Sequence, residues 1–189
     1  VLRAPTAASV SLVGDFNVIN SLAAVAAALA VGIPLRALAH SLAIIPQIPG
    51  RLELIAHSPP IIRDYAHTPD ALVRSLAAIR PFVTGKIILV FGAGGDRDPG
   101  KRPLMGAAAE AGADRVIVTS DNPRTEDPEA IIDEIERGMQ SPHERLSDRR
   151  RAIARAIEIA SPGDTILLAG KGHETYQVVG TEKRPFDER

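Results

Sequence analysis

From residue 61 onward the chain alternates short apolar runs with stretches of helical periodicity. Residues 61–65 predict a short strand. Residues 87–91, Ile-Ile-Leu-Val-Phe, are apolar throughout, the pattern of a strand buried on both faces. Residues 115–119 and 165–169 predict two more. Between them, residues 70–79 put Leu72, Leu76 and Ile79 on one helical side. Residues 103–111, 128–139 and 148–160 predict further helices. Four short strands alternating with helices predict an α/β fold, a mostly parallel sheet with helices on both faces. Upstream the character differs. Residues 17–45 predict one alanine-rich helix, capped by Asn17 or Asn20 and ended by Gly32 and Pro34, then a second helix over 35–44. Residues 51–55 alternate like a strand.

In parallel sheets ligands gather where strands end at their carboxyl side. Each predicted strand here runs into a polar loop bearing glycine or proline. Residues 61–62 lead to Asp64-Tyr65-Ala66-His67. Residues 87–91 lead to Gly92-Ala93-Gly94-Gly95-Asp96-Arg97-Asp98. Residues 116–119 lead to Asp121-Asn122-Pro123-Arg124, and 166–169 to Gly170-Lys171-Gly172-His173-Glu174. Their coincidence at one sheet edge predicts a site.

Composition narrows its chemistry. Lys plus Arg is 22 against 23 for Asp plus Glu, a net charge of -1, which removes the electrostatic case for nucleic acid or a polybasic membrane contact. The chain has no cysteine, excluding thiolate metal sites and cysteine nucleophiles. Residues 22–33 are short for a membrane span, and residues 1–13 lack the pattern of a secretion signal. His40, His57 and His143 read as surface residues, and no His and carboxylate spacing suits a metal.

Individual motifs remain ambiguous. Gly95 to Lys101 has P-loop spacing, but Arg102 stands where Ser or Thr must reach Mg²⁺, and Pro99 removes an N–H. Gly92-Ala93-Gly94 begins a dinucleotide fingerprint that Arg97 breaks. Asp121-Asn122-Pro123-Arg124 fits either an Asx turn into the next helix or a clamp, with Arg124 forking a carboxylate and Asp121 holding an ammonium. Gly170 to Glu174 fits either a glycine turn with a charged rim or a close backbone approach to a ligand. His67 fits a general base, a stacking partner or a hydrogen-bonded structural residue. Arginines, carboxylates and glycine turns at one edge suit a small zwitterion.

The segments GDFNVINSLAA (14–24), PGRLE (49–53), DYAHTPDAL (64–72), FGAGGDRDPGKRPLMG (91–106), TSDNPRTEDP (119–128) and AGKGHETYQ (169–177) resemble, in order, the Mur ligase family. The resemblance implies residues 1–56 as the end of a central ATP-binding domain and residues 57–189 as a C-terminal Rossmann-like domain. It implies an ATP-dependent amide ligase of peptidoglycan synthesis, bacterial and cytoplasmic, that adds meso-diaminopimelate to UDP-MurNAc-L-Ala-D-Glu through an acyl phosphate. The amino acid would be bound by Arg97, Asp121, Asn122, Pro123, Arg124, Gly170 and Glu174. Asn20, Arg51, Asp64 and His67 match positions near the nucleotide. The family's P-loop, Mg²⁺ ligands, carbamylated lysine and UDP-binding domain have no match here. ATP and Mg²⁺ would therefore be held mainly by absent parts of the polypeptide, no catalytic residue is assigned, and the 189-residue chain by itself is expected to be inactive. A lysine-adding relative and a stand-alone amino-acid-binding remnant are the alternatives.

Overall fold

The computed structural model describes residues 7–189. The reading of residues 1–13 therefore lies partly outside the described residues. Two compact units divide the chain, Val1–Ile48 and Pro49–Arg189. The second unit takes in residues 53–57, which pair in its sheet. Among the described residues no helix is long and apolar enough to cross a membrane.

The first unit holds α1 (Asp15–Ala30) and α2 (Leu35–Ala43). Neither Asn17 nor Asn20 caps α1. Gly14, with φ 100°, occupies the cap position and turns the chain one residue before Asp15, whose carboxylate suits a helix start. Asn17 lies inside the first turn and donates from Nδ2 to Val13 O at 2.8 Å. The helix stops at Gly32, φ 90°, as expected.

The second unit is built on a six-stranded sheet in the order β1-β2-β6-β3-β4-β5. β1 (Glu53–His57) runs antiparallel to β2 (Pro60–Asp64). β3 (Ile87–Phe91), β4 (Arg115–Val118), β5 (Glu144–Arg145) and β6 (Thr165–Ala169) lie parallel to β2 in one continuous array. β6 enters between β2 and β3, so the last strand of the array brings its loop to the centre of the edge.

Side chains alternate along the buried strands. Ile88, Val90, Ile117, Ile166 and Leu168 meet Ala152 and Ala156 of α6 (Arg149–Ile159) on one face. Ile87, Leu89 and Phe91 point the other way and are equally buried. That side carries α3 (Pro69–Ile79), α4 (Lys101–Gly112) and α5 (Pro128–Glu136), packed side by side. Glycine permits the close approach: a methyl on Gly106 would strike the Ile135 carbonyl of α5. Thr68, Asp127 and Asp148 cap α3, α5 and α6 through their side chains. A separate hairpin, β7 (Tyr176–Val179) and β8 (Glu182–Pro185), follows β6.

The β1–β2 edge is locked to the last residues by charge. Glu53 is 7% exposed and accepts from Arg63 Nε at 2.7 Å, Gly50 N at 2.7 Å and Arg189 Nη2 at 2.6 Å. Burial pushes its pKa upward, but these donors outweigh burial and lower it from 4.5 to about 2. A depressed carboxylate stabilises the fold fully above its unfolded value and ceases to do so as the pH falls. The contribution is therefore complete above pH 4.5 and is lost between pH 4.5 and about 2. Direct conversion gives about 3 kcal/mol, reduced to roughly 2 kcal/mol because the Arg189 partner is exposed and screened. Urea titrations at pH 7 and pH 3 should show this fall, and Glu53→Gln should be less stable at pH 7 and flatter with pH.

Candidate functional site

The carboxyl ends of β2, β3, β4 and β6 surround a cavity of about 270 Å³. Its wall includes Tyr65, His67 and Thr68 from the first loop, Gly94, Arg97, Asp98 and Lys101 from the second, Asp121, Asn122 and Arg124 from the third, and Gly170 and Glu174 from the last. The size suits an amino acid better than a nucleotide. Six of the seven residues assigned to amino-acid binding line it together. The seventh, Pro123, is buried behind it and fixes the turn, its carbonyl packed so closely under Gly95 that a Cβ there would collide.

Arg124 is placed by its backbone. Its φ is 53°, a left-handed conformation that costs a non-glycine residue roughly 1 kcal/mol. β7 and the turn after it hold it there: Arg124 N donates to Val178 O at 3.1 Å, and Gly180 N donates to Arg124 O at 2.6 Å. Nη1 donates to Gly95 O at 2.7 Å and to Asn122 O at 3.4 Å. Nε and Nη2 find no acceptor among the described residues, leaving an edge of the guanidinium for a ligand. The Asx-turn reading fails here. Asn122 Oδ1 accepts from Val178 N at 2.9 Å, its Nδ2 donates to Glu174 Oε2 at 2.8 Å, and Asp127 caps α5 instead.

Opposite charge faces this cation. Asp121 is buried and Glu174 half-buried, both on the cavity wall. Gly170, φ 114°, turns the backbone between them and donates from N to Asp64 O at 3.0 Å. A methyl there would sit 3.0 Å from Asp121 Oδ2. Arg97 is exposed at the rim and donates to Asp96 O at 2.9 Å.

Arg102, the residue that breaks the P-loop pattern, is 1% exposed and is not part of the cavity wall. It grips Glu126 with Nη1 and Nη2 at 2.8 and 2.9 Å and Glu134 at 2.9 Å, securing α4 to the loop after Arg124.

The four residues matched to the nucleotide are less alike. Asp64 is buried and its carboxylate is consumed internally: Oδ2 accepts from Leu52 N at 2.8 Å, and Oδ1 accepts from Ala66 N at 3.0 Å and Ser75 Oγ at 2.8 Å. In this structure it braces the loop. Arg51 stacks its guanidinium 4.9 Å from the centre of the Tyr65 ring, and His67 packs on the same ring at 4.6 Å. His67 Nδ1 pairs with Tyr65 O at 2.8 Å, the contact of a hydrogen-bonded structural residue. Asn20 lies exposed on α1 in the first unit. Among the described residues no cluster of three metal-ligating side chains occurs.

Lys101 and Lys171 stand at the site although the sequence does not single them out as ligand-binding residues. Lys101 Nζ donates to His67 O at 2.8 Å across the cavity. Burial holds its pKa below the usual lysine value, against the pull of Asp121 and Asp98. Lys171 is fully buried beside Asp121, Asn122 and Glu174. The signal for it is a lysine between two glycines at the end of a strand buried along its whole length, where few exposed positions remain.

The family model described as Mur ligase, glutamate ligase domain, matches residues 50–172. The UDP-N-acetylmuramoyl-L-alanyl-D-glutamate–2,6-diaminopimelate ligase of Thermosynechococcus vestitus is 53% identical over 184 residues, covering 94% of this chain and 37% of that protein. A solved structure of a UDP-N-acetylmuramoyl-L-alanyl-D-glutamate–2,6-diaminopimelate ligase superposes with TM-score 0.73 at 44% identity, covering 96% of this chain and 38% of the other. The folylpolyglutamate synthase of Mycobacterium tuberculosis, complexed with ADP and AMPPCP, superposes with TM-score 0.71 at 25% identity, covering 85% and 38%. This chain thus spans under two fifths of the length of these relatives.

Proposed function

The chain belongs to the Mur ligase family, and on that premise we propose that it is the amino-acid-binding, C-terminal part of a ligase joining 2,6-diaminopimelate to UDP-N-acetylmuramoyl-L-alanyl-D-glutamate. The relatives that name this reaction supply the substrates. The observation that carries the reading is the pairing, across one cavity, of the Arg124 guanidinium with the Asp121 and Glu174 carboxylates. A centre bearing both a carboxylate and an ammonium needs that juxtaposition. Arg97 at the rim would take the ligand's other carboxylate, the one that lysine also carries, Asn122 and Pro123 would hold the loop in register, and Gly170 would let backbone approach the ligand. Fixing the amino acid this way presents its reacting amine in one orientation, which converts an encounter into a positioned attack.

Residues 7–48 would complete a central ATP-binding domain whose remainder, with the UDP-sugar domain, lies in sequence beyond this chain. The fit of ATP to the residues present is partial. Arg51, His67 and Tyr65 offer a ring face and a cation for the nucleoside side, whereas Arg102 is locked in ion pairs where a phosphate loop would need a hydroxyl. ATP supplies activation of the D-glutamate carboxylate in this reading, with Mg²⁺ at the absent phosphate site. The reaction would belong to the cytoplasm, where ATP and nucleotide-linked precursors are found.

Calorimetric titration of the 189-residue chain tests the reading. meso-Diaminopimelate should bind and L-lysine should bind more weakly. Tighter binding of lysine would assign a lysine-adding ligase. Binding of neither would overturn the amino-acid site, and ATP turnover by this chain by itself would overturn the division of labour.

A further inference from the structure

Lys171 has no exposed surface, an unusual position for a primary ammonium. Its Nζ lies 3.1 Å from Asn122 Oδ1, 3.4 Å from Asp121 Oδ1 and 3.5 Å from Glu174 Oε2. The Phe186 ring, centred 6.0 Å away, provides a cation-π neighbour. Gly170 and Gly172, at φ 114° and 54°, flank it, so the backbone coils tightly around the position. The ammonium therefore looks toward the cavity wall from behind it.

Two consequences follow from its chemistry. An ammonium only donates, so Lys171 and the Val178 N–H together dictate that Asn122 turns its oxygen inward. The amide nitrogen is then aimed at Glu174, which it reaches at 2.8 Å, and the carboxylate is held in place. Charge is the second consequence. Asp121 and Glu174 bring two negative charges to one wall and Lys171 cancels one of them. One negative charge remains, matching a single ammonium, and the ion pairs already made reduce the pull of this wall on the guanidinium of Arg124.

We infer that Lys171 is an internal counter-ion that sets the charge of the amino-acid cavity, so that the site selects a ligand whose ammonium is accompanied by a carboxylate over one with surplus positive charge. The inference rests on the amino-acid site proposed above. Lys171 acts through Asp121, Asn122 and Glu174 and is a positioning residue. Without it the same wall would carry two negative charges, which favours cationic ligands and competes with the ligand's carboxylate for Arg124.

The test uses the 189-residue chain and two ligands that differ in net charge, meso-diaminopimelate at zero and L-lysine at plus one. In K171M the preference for diaminopimelate over lysine should shrink by roughly tenfold or more. In K171M/E174Q, which restores a single negative charge, the preference should recover toward that of the unaltered chain. Equal weakening of both ligands in K171M, with their ratio unchanged, would make Lys171 merely structural and overturn the inference. If K171M does not fold, nitrogen-detected NMR of the unaltered chain decides. A protected Lys171 ammonium signal should shift on saturation with diaminopimelate, and a signal that does not move overturns the inference. Failure of the unaltered chain to bind either ligand is a different result. It removes the amino-acid site itself, and the inference with it.

Discussion

Glu188→Ala is expected to destabilise the 189-residue chain by about 3–5 kcal/mol, the usual penalty for stripping the partner from a buried charge. Glu188 Oε1 accepts from Arg149 Nε at 2.7 Å, and neither side chain has exposed surface. Arg149 is the first residue of α6, and its Nη2 donates to Ala169 O at 3.0 Å, at the end of β6. This guanidinium thus ties a helix start, a strand end and the final residues together. Removing the carboxylate leaves a cation that water cannot reach. The pair is not saturated, since Arg149 Nη1 and Glu188 Oε2 lack partners. Glu188→Gln should therefore fall between, keeping an acceptor while losing the charge. Urea unfolding followed by far-ultraviolet circular dichroism measures both, a suitable probe because the chain contains no Trp. A loss below about 1 kcal/mol for Glu188→Ala would place this pair with ordinary surface ion pairs.

The same region marks where reading the chain stops and folding takes over. β3 and β6 occupy residues 87–91 and 165–169, the bounds their mostly apolar runs suggest, because a strand buried on both faces needs no alternation. β5 is two residues long, Glu144 and Arg145, and exists because it pairs with β4. β8 reads Glu-Lys-Arg-Pro and is exposed along its whole length, so nothing local marks it as a strand. Its partner β7 matters for the site, since Val178 and Gly180 hold the Arg124 backbone in its left-handed conformation. α1 starts earlier than an asparagine cap implies because a glycine of positive φ, not an asparagine side chain, ends the preceding segment.

For the cavity, Arg97, Asp121, Asn122, Arg124, Gly170 and Glu174 were legible as loops at successive strand ends, and the parallel order of the sheet brings them together. What was not legible is how each polar group is spent. Asp64 and Asp121 look alike in sequence, an acid at the end of a strand. The three donors Leu52 N, Ala66 N and Ser75 Oγ close off the first, whereas the second keeps a face on the cavity. Only tertiary hydrogen bonding distinguishes them.

That distinction bears most directly on Arg124. Arg124→Ala is expected to weaken binding of meso-diaminopimelate by about 2–4 kcal/mol, the cost of leaving a ligand carboxylate unpaired in a largely closed site. This is roughly a 30- to 1,000-fold rise in Kd. Lysine lacks that carboxylate, so its binding should change little, and the variant should lose discrimination rather than affinity in general. Arg124→Lys should recover only part of the difference, because an ammonium supplies charge without the planar fork. The fold should not suffer, since alanine removes the Nη1 contacts to Gly95 O and Asn122 O while the backbone clamp from Val178 and Gly180 persists. Calorimetry with both ligands on both variants separates these contributions. An unchanged affinity for diaminopimelate in Arg124→Ala would remove Arg124 from the site. Loss of both ligands together would mean that the side chain holds the loop open and does not read the second carboxylate.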